Sequence, residues 1–281
     1  MSVKVVKPNV VLVASPRSFQ GTRISGIAAK TCTSAESFAE ILDTHETYKD
    51  VLKRVINYGH LSVTEFDQWI FGIEGVSRTF THQLVRKRVG VAYAQESMRY
   101  ASQGGAYQII VPSSLEGKSY PVSLFDDPNP EQVYLSLEGL AEVVHQWYEE
   151  AQKDGVPNED ARFGLLEASK TKILVGMNSH ALLDWFKERC CSTAQWEIRA
   201  VANMMLKRAQ EVDPTVFASA GPKCCYTGVC NEPKSKWENC KRVPHNSKVK
   251  NSGTINTQME EYVNSLSDGN KKLLKKLLEL Q

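Results

Sequence analysis

No stretch of this sequence approaches the roughly 18 consecutive apolar residues that a membrane-spanning helix needs. Val10–Val13 is only strand-length. No apolar h-region follows the charged start, which predicts no signal peptide, no membrane partner and a cytoplasmic protein. Charge of one sign is also lacking: 34 Lys and Arg against 32 Asp and Glu leave a net charge of +2. So weak a field disfavours a nucleic-acid partner, and any basic site has to be local. There is no G-x-G-x-x-G and no G-x-x-x-x-G-K-[ST], so a glycine cradle for phosphate is not indicated. H-E-x-x-H and G-x-S-x-G are absent as well. A phosphorylated ligand would have to be held mainly by arginines.

What is present is material for a core. The 281 residues, 42% apolar and 9% aromatic, suit one large domain or two small ones. Seven cysteines, an odd number without a secretory signal, predict reduced thiols. Cys190, Cys191, Cys224, Cys225, Cys230 and Cys240 crowd the C-terminal third. Their adjacent pairs and the Cys225-x4-Cys230 spacing do not match the usual zinc patterns, so no metal is expected; a structural zinc or a disulfide stay open as alternatives.

Residues 9–14 read as a short buried strand. A helix is expected over 44–58, with Thr44 as N-cap and Gly59 as its stop. Trp69, Phe71 and Ile73 alternate as in a strand, which Gly75 and Ser77 break before a helix from Arg78 to Lys87. Residues 107–112 suggest another strand and 114–130 a loop. The spacing of Val133, Leu137, Leu140, Val144, Trp147 and Tyr148 predicts a helix over 131–154. A short helix carrying Arg162 follows, then a strand at Thr171–Met177 and a helix capped by Asn178. Ser192 and Gln195 read as a capping box ahead of a helix to Val212, stopped by Pro214. Residues 1–220 are expected to form one domain and 221–281 a Cys- and Lys-rich extension. That extension ends in an amphipathic helix bearing Leu273, Leu277 and Leu280, suited to docking or to a membrane surface.

Residues 78–100 carry the densest chemistry. Arg86, Lys87, Arg88 and Arg99 lie close to Gln83, Gln95, Glu96, Ser97 and Met98. Guanidiniums stay charged at biological pH and grip phosphate bidentately. An isolated Arg-Lys-Arg triplet more often marks a solvated basic helix. Two further segments carry similar equipment: His60, Ser62 and Glu65, and then Arg162 with Asn178, Ser179, His180, Asp184, Arg189 and the run Ala194–Arg199. His180 and Asp184 are four apart and share a helix face. Taken singly, each is more often a surface or capping group.

Together these segments resemble the flavin-dependent thymidylate synthases. The family hallmark is Arg-His-Arg, seven or eight residues, then Ser and Arg-Tyr; here Arg86-Lys87-Arg88 is followed by eight residues, Ser97, Met98, Arg99 and Tyr100. Gln83-Leu84-Val85 and Ala194-Gln-Trp-Glu-Ile-Arg199 match too, and the resemblance covers roughly residues 9–215. It implies an α+β fold with a small antiparallel sheet and long helices, assembled as a homotetramer. It implies methylation of dUMP to dTMP, with methylenetetrahydrofolate as carbon donor and NADPH and FAD as redox carriers. By position, Gln83, Arg86, Gln95, Glu96, Ser97, Met98, Arg99, Arg162 and Arg189 would contact dUMP. Arg189 would be catalytic, stabilising the uracil ionised at N3. His60, Ser62, Arg86, Lys87, Arg88, Gln95, Asn178, Ser179, His180 and Asp184 would hold FAD. Lys87 stands where the family has His, His180 where it has Arg, and Asp184 where it has Asn. These departures predict an altered grip on the flavin. A hydroxymethylating relative and a silent nucleotide-binding homologue are the alternatives.

Overall fold

The computed structural model describes residues 3–16, 20–43, 48–103, 105–123 and 133–246. Thr44 and the expected C-terminal amphipathic helix lie outside the described residues. The chain forms two compact units, Met1–Pro222 and Lys223–Gln281.

The first unit holds strands β1 (Lys4–Val5), β2 (Asn9–Ala14), β3 (Trp69–Ser77), β4 (Val91–Gln95), β5 (Gln108–Ile109), β6 (Tyr120–Val122), β7 (Val133–Leu135) and β8 (Lys170–Met177). Its helices are α1 (Gln20–Thr33), α2 (Phe38–Asp43), α3 (Tyr48–Asn57), α4 (Arg78–Leu84), α5 (Leu137–Lys153), α6 (Asn158–Ala161), α7 (Ser179–Arg189), α8 (Trp196–Val212) and α9 (Pro214–Phe217). The central sheet is antiparallel throughout, in the order β2-β3-β8-β4. Two small pairs flank it, β1 with β5 and β6 with β7. The architecture is the expected α+β one, a small antiparallel sheet with helices packed on it.

Alternation along β3 explains the core. Trp69, Phe71 and Ile73 point inward and pack with Ile198, Val201, Ala202 and Met205 of α8. The Trp69 ring meets Phe217 edge-on at 5.2 Å, and Phe217 in turn meets Phe186 at 6.0 Å. The other face of the sheet stays open. Val11, Gly72, Leu174 and Ala94 form one row across its four strands, with Val11 50% and Leu174 43% exposed. The expected buried strand at 9–14 is therefore a half-buried edge strand.

The expected loop over 114–130 contains β6, β4 was not expected, and four further boundaries differ from the sequence expectation. Gly75 does not end β3. It adopts φ +65° at a bulge where the register against β8 shifts, and the strand runs on to Ser77. A Cβ on Gly75 would lie 2.2 Å from the Lys7 carbonyl oxygen. Gly75→Ala is expected to cost on the order of 2 kcal/mol, a fall in Tm of roughly 5 °C by thermal melting; an unchanged Tm would show that the bulge accepts a side chain. Helix α4 stops at Leu84, so Arg86–Arg88 form a turn. Lys87 N–H and the Tyr93 hydroxyl both donate to the Leu84 carbonyl, which a longer helix would need for its own ladder. Val133 belongs to a strand paired with Val122, and the helix begins only after its N-cap, Ser136. Finally, Gln195 rather than Ser192 caps α8, accepting from the Glu197 and Ile198 N–H groups.

The second unit is described to residue 246. It contains α10 (Lys223–Thr227), α11 (Lys234–Cys240) and a bridge between Cys230 and His245. None of the seven cysteines is in a disulfide.

Candidate functional site

The Arg86–Arg88 turn is built by its neighbours. Ser77 caps α4 by accepting from the Phe80 N–H, and Glu197 grips Ser77 in turn. At the far end the Tyr93 hydroxyl lies 2.9 Å from both the Leu84 and Lys87 carbonyls. Burial pushes the Tyr93 hydroxyl up to about 12, although the Arg88 charge pulls the other way, so it stays a proton donor to those carbonyls. Gln95, at the end of β4, donates to the Thr81 hydroxyl at 3.0 Å and lies under the same helix.

Next to this turn stands the first part of α7. Asn178 caps the helix by accepting from the Ala181 N–H, and its N–H donates to Gly90 at 3.2 Å. Gly90, at φ +68°, admits the Asn178 side chain so closely that a Cβ would lie 2.8 Å from it. Lys87 Nζ lies 3.7 Å from Asp184, Lys187 Nζ lies 3.1 Å from it, and His180 Nε2 lies 3.9 Å from it. His180 Nδ1 lies 2.7 Å from Glu65. Lys87, His180 and Asp184, three of the positions that depart from the family pattern, are thus one contact network, with Glu65 and Lys187 added to it. The Ser179 side chain is fully buried and turned inward. Its hydroxyl bonds to Asp67 and accepts from the Trp69 indole at 2.9 Å.

A second group forms around Glu159. Its carboxylate lies 2.7 Å from Arg99 Nε, and its carbonyl accepts from Arg162 Nε at 3.1 Å. Arg99 also lies over the Tyr100 ring at 5.4 Å. Ser97 Oγ accepts from the Arg99 N–H at 3.3 Å, and Met98 is buried behind them. Gln95 and Glu96, with Glu74 and Lys172, line a cleft of about 430 Å³ on the open face of the sheet. Gln83, half-buried on α4, donates to the Thr79 carbonyl at 3.4 Å, and Arg86 is exposed on the turn that follows.

Arg189 lies at the opposite end of α7 from Ser179, ten residues or about 15 Å along the axis. It is set over the Trp185 ring at 5.6 Å. Its Nε is buried and has no hydrogen-bond partner among the described residues. His60 and Ser62 sit in the single turn Leu61–Thr64 and at its start, both exposed. Ser62 and Glu65 edge an apolar cleft of about 470 Å³ against α1.

Two buried carboxylates fix the two helices that carry these groups, and neither was legible as a site residue. Glu197 accepts from the Ser77 N–H at 2.7 Å and from its hydroxyl at 2.6 Å. Asp67 accepts from the Ser179 N–H at 2.7 Å and from its hydroxyl. Burial raises both carboxyls above the ordinary range, against the pull of those hydrogen bonds. Glu197 lies in the Ala194–Arg199 run singled out above, but no local pattern signals what either carboxylate does, because their partners are 120 and 112 residues away.

Fold and site together define an α+β protein that displays several separate cation-rich groups suited to phosphorylated ligands. The family model described as "Thymidylate synthase complementing protein" matches residues 18–215. A flavin-dependent thymidylate synthase of Geobacter sulfurreducens is 39% identical over 210 residues, covering 73% of this chain and 84% of that protein. One from Thermococcus onnurineus is 41% identical over 191 residues, covering 66% and 74%. The chain belongs to the flavin-dependent thymidylate synthase family of enzymes. The fold also matches the crystal structure of PolB from Streptomyces cacaoi, a UMP/dUMP methylase bound with 5-Br dUMP. That match has a TM-score of 0.60 and 18% identity, over 77% of this chain and 96% of PolB.

Proposed function

We propose that the chain methylates dUMP at C5 to give dTMP. Methylenetetrahydrofolate would be the carbon donor, and NADPH and FAD the redox carriers. The observation that carries this reading is Arg189. Its guanidinium is set against Trp185, and one buried N–H lacks a partner among the described residues. A fixed cation with an unmet donor suits an acceptor that gains negative charge during reaction, such as the uracil edge ionised at N3. That charge makes C5 the nucleophilic carbon and removes the need for a protein nucleophile. Ser97 has no histidine base beside it in the sequence, and its hydroxyl accepts from the Arg99 N–H.

Arg99 and Arg162, gathered at Glu159, would take the phosphate, with Ser97 beside them and Gln83 and Arg86 completing the grip. Gln95, Glu96 and Met98 would border the nucleotide. The residues also fit a flavin dinucleotide, because Lys87 and His180 supply donors beside Asp184 of α7, with Arg88 next to Lys87 in the turn. Asn178 and Ser179, whose side chains and main-chain N–H groups are engaged within the protein, would shape the wall of the flavin pocket and donate no main-chain N–H to the cofactor. His60 and Ser62 would lie toward the ring end. A bound flavin supplies the hydride-transfer chemistry. Asp184 opposes a diphosphate, as does Glu65 on the other side of His180. Asp184→Asn is expected to tighten FAD by about 5-fold, read by titration of flavin fluorescence; weaker binding would remove this placement.

The apolar row Val11, Gly72, Leu174 and Ala94, with Val13 57% exposed beside it, is the face best suited to pairing of copies in a homotetramer. The deciding experiment is turnover. The C5 proton of dUMP should be released only with methylenetetrahydrofolate and NADPH present, and the product should have the mass of dTMP. A hydroxymethyl product, or no release, would overturn the reading.

A further inference from the structure

We propose that Glu159 is an internal stand-in for the substrate phosphate and sets which anions the site accepts. The proposal rests on the reading of Arg99 and Arg162 as phosphate contacts. One residue gathers two guanidiniums that lie 63 positions apart in the chain. Its two holds differ in kind. The main-chain carbonyl that accepts from Arg162 Nε is fixed in α6, whose Ala161 is buried. The carboxylate on Arg99 Nε is at the end of a rotatable side chain, and both side chains are about half exposed, 54% and 46%.

An exposed ion pair of this kind is weak, because water screens it and two flexible side chains must be ordered. A phosphate dianion offers more charge than a carboxylate and accepts two parallel N–H bonds from one guanidinium. An arriving monophosphate therefore takes Arg99 from Glu159. A ligand without that group leaves the pair intact. The pair holds Arg99 in place, with the Tyr100 ring beneath it, until the phosphate arrives. It also makes weak monoanions compete with a tethered carboxylate, so the site selects dianionic monophosphates at some cost in affinity.

Titration calorimetry on the full chain tests this with dUMP, inorganic phosphate and deoxyuridine. Glu159→Gln keeps the side-chain shape and removes the charge. It is expected to tighten dUMP and inorganic phosphate by about 2- to 5-fold, the factor that corresponds to an exposed ion pair, and to lower KM for dUMP equally. Deoxyuridine binding should not move. In an Arg99→Ala background the same change should have no effect on dUMP. Equal shifts for dUMP and deoxyuridine would assign Glu159 a merely structural part and overturn the proposal. So would a dUMP affinity that is unchanged or weaker in Glu159→Gln while the wild type binds dUMP normally, and that result leaves the proposed function standing. A wild-type chain that takes no dUMP would overturn both.

Discussion

Arg189→Ala is expected to lower kcat by about 10²–10³-fold, the loss seen when one preorganised donor to a developing anion is removed. The fold should survive. The guanidinium gives up its place over Trp185, a contact worth about 1 kcal/mol, so Tm should fall by only a few degrees. The separation of those two readouts is the point of the variant. A residue that served packing alone would lose stability and activity together. Arg189→Lys sharpens the test, because lysine keeps the charge but has no planar fork and no Nε to meet the acceptor. Its kcat should lie between those of the wild type and the alanine variant. Stopped turnover under saturating dUMP, compared with thermal melting of the same samples, checks both. Full activity in Arg189→Ala would remove the catalytic role and with it the observation on which the proposed function rests.

Strands β3 and β8 were legible because inward and outward residues alternate along them, and a period of two depends only on neighbours in the chain. The edge strand β4 and the interruptions of the sheet were not. Gly75 signals a break locally, but whether a strand resumes after a bulge depends on β8, whose register with β3 shifts there. The end of α4 shows the same limit. Nothing in Arg78–Arg88 marks Leu84 as the last helical residue; the Tyr93 hydroxyl, nine positions later, draws off its carbonyl. Within the site, the approach of His180 and Asp184 followed from helical spacing. The addition of Lys87, from the turn before Gly90, and of Glu65 did not, since only tertiary packing brings them together. Arg99 and Arg162 could be matched to a phosphate role by type. Their joint attachment to Glu159 has no sequence signature, because one of the two holds is a main-chain carbonyl.

Glu197→Ala is expected to cause the largest loss of stability. Glu197 is 1% exposed and accepts two hydrogen bonds from Ser77, the residue that caps α4. Truncation leaves the Ser77 N–H and hydroxyl buried without that acceptor, at about 1–3 kcal/mol each, and opens a void beneath α8. A total of about 4 kcal/mol corresponds to a fall in Tm of roughly 10 °C for a unit of this size. The start of the helix that leads to Arg86–Arg88 would loosen with it, so affinity for dUMP should also drop. Glu197→Gln separates charge from shape. Its amide oxygen can still accept the Ser77 N–H, and its NH₂ can donate to the hydroxyl oxygen, so near neutral pH it should keep the wild-type stability within about 1 kcal/mol.

The two proteins should differ in their response to pH. Because burial raises the Glu197 pKa, the folded chain holds this proton more tightly than the unfolded one. The stability contributed by that difference is complete below the unfolded value near 4.5, and it fades as pH rises through the higher folded value. The glutamine variant has no such proton to lose. Its Tm should therefore decline less than that of the wild type as pH rises above about 4.5, a comparison that leaves the Asp67 contribution common to both. Melting curves taken at intervals from acid to neutral pH would decide the matter. Parallel Tm profiles would mean that the two hydrogen bonds from Ser77 offset the burial of the carboxylate, leaving its pKa the same in the folded and unfolded chain.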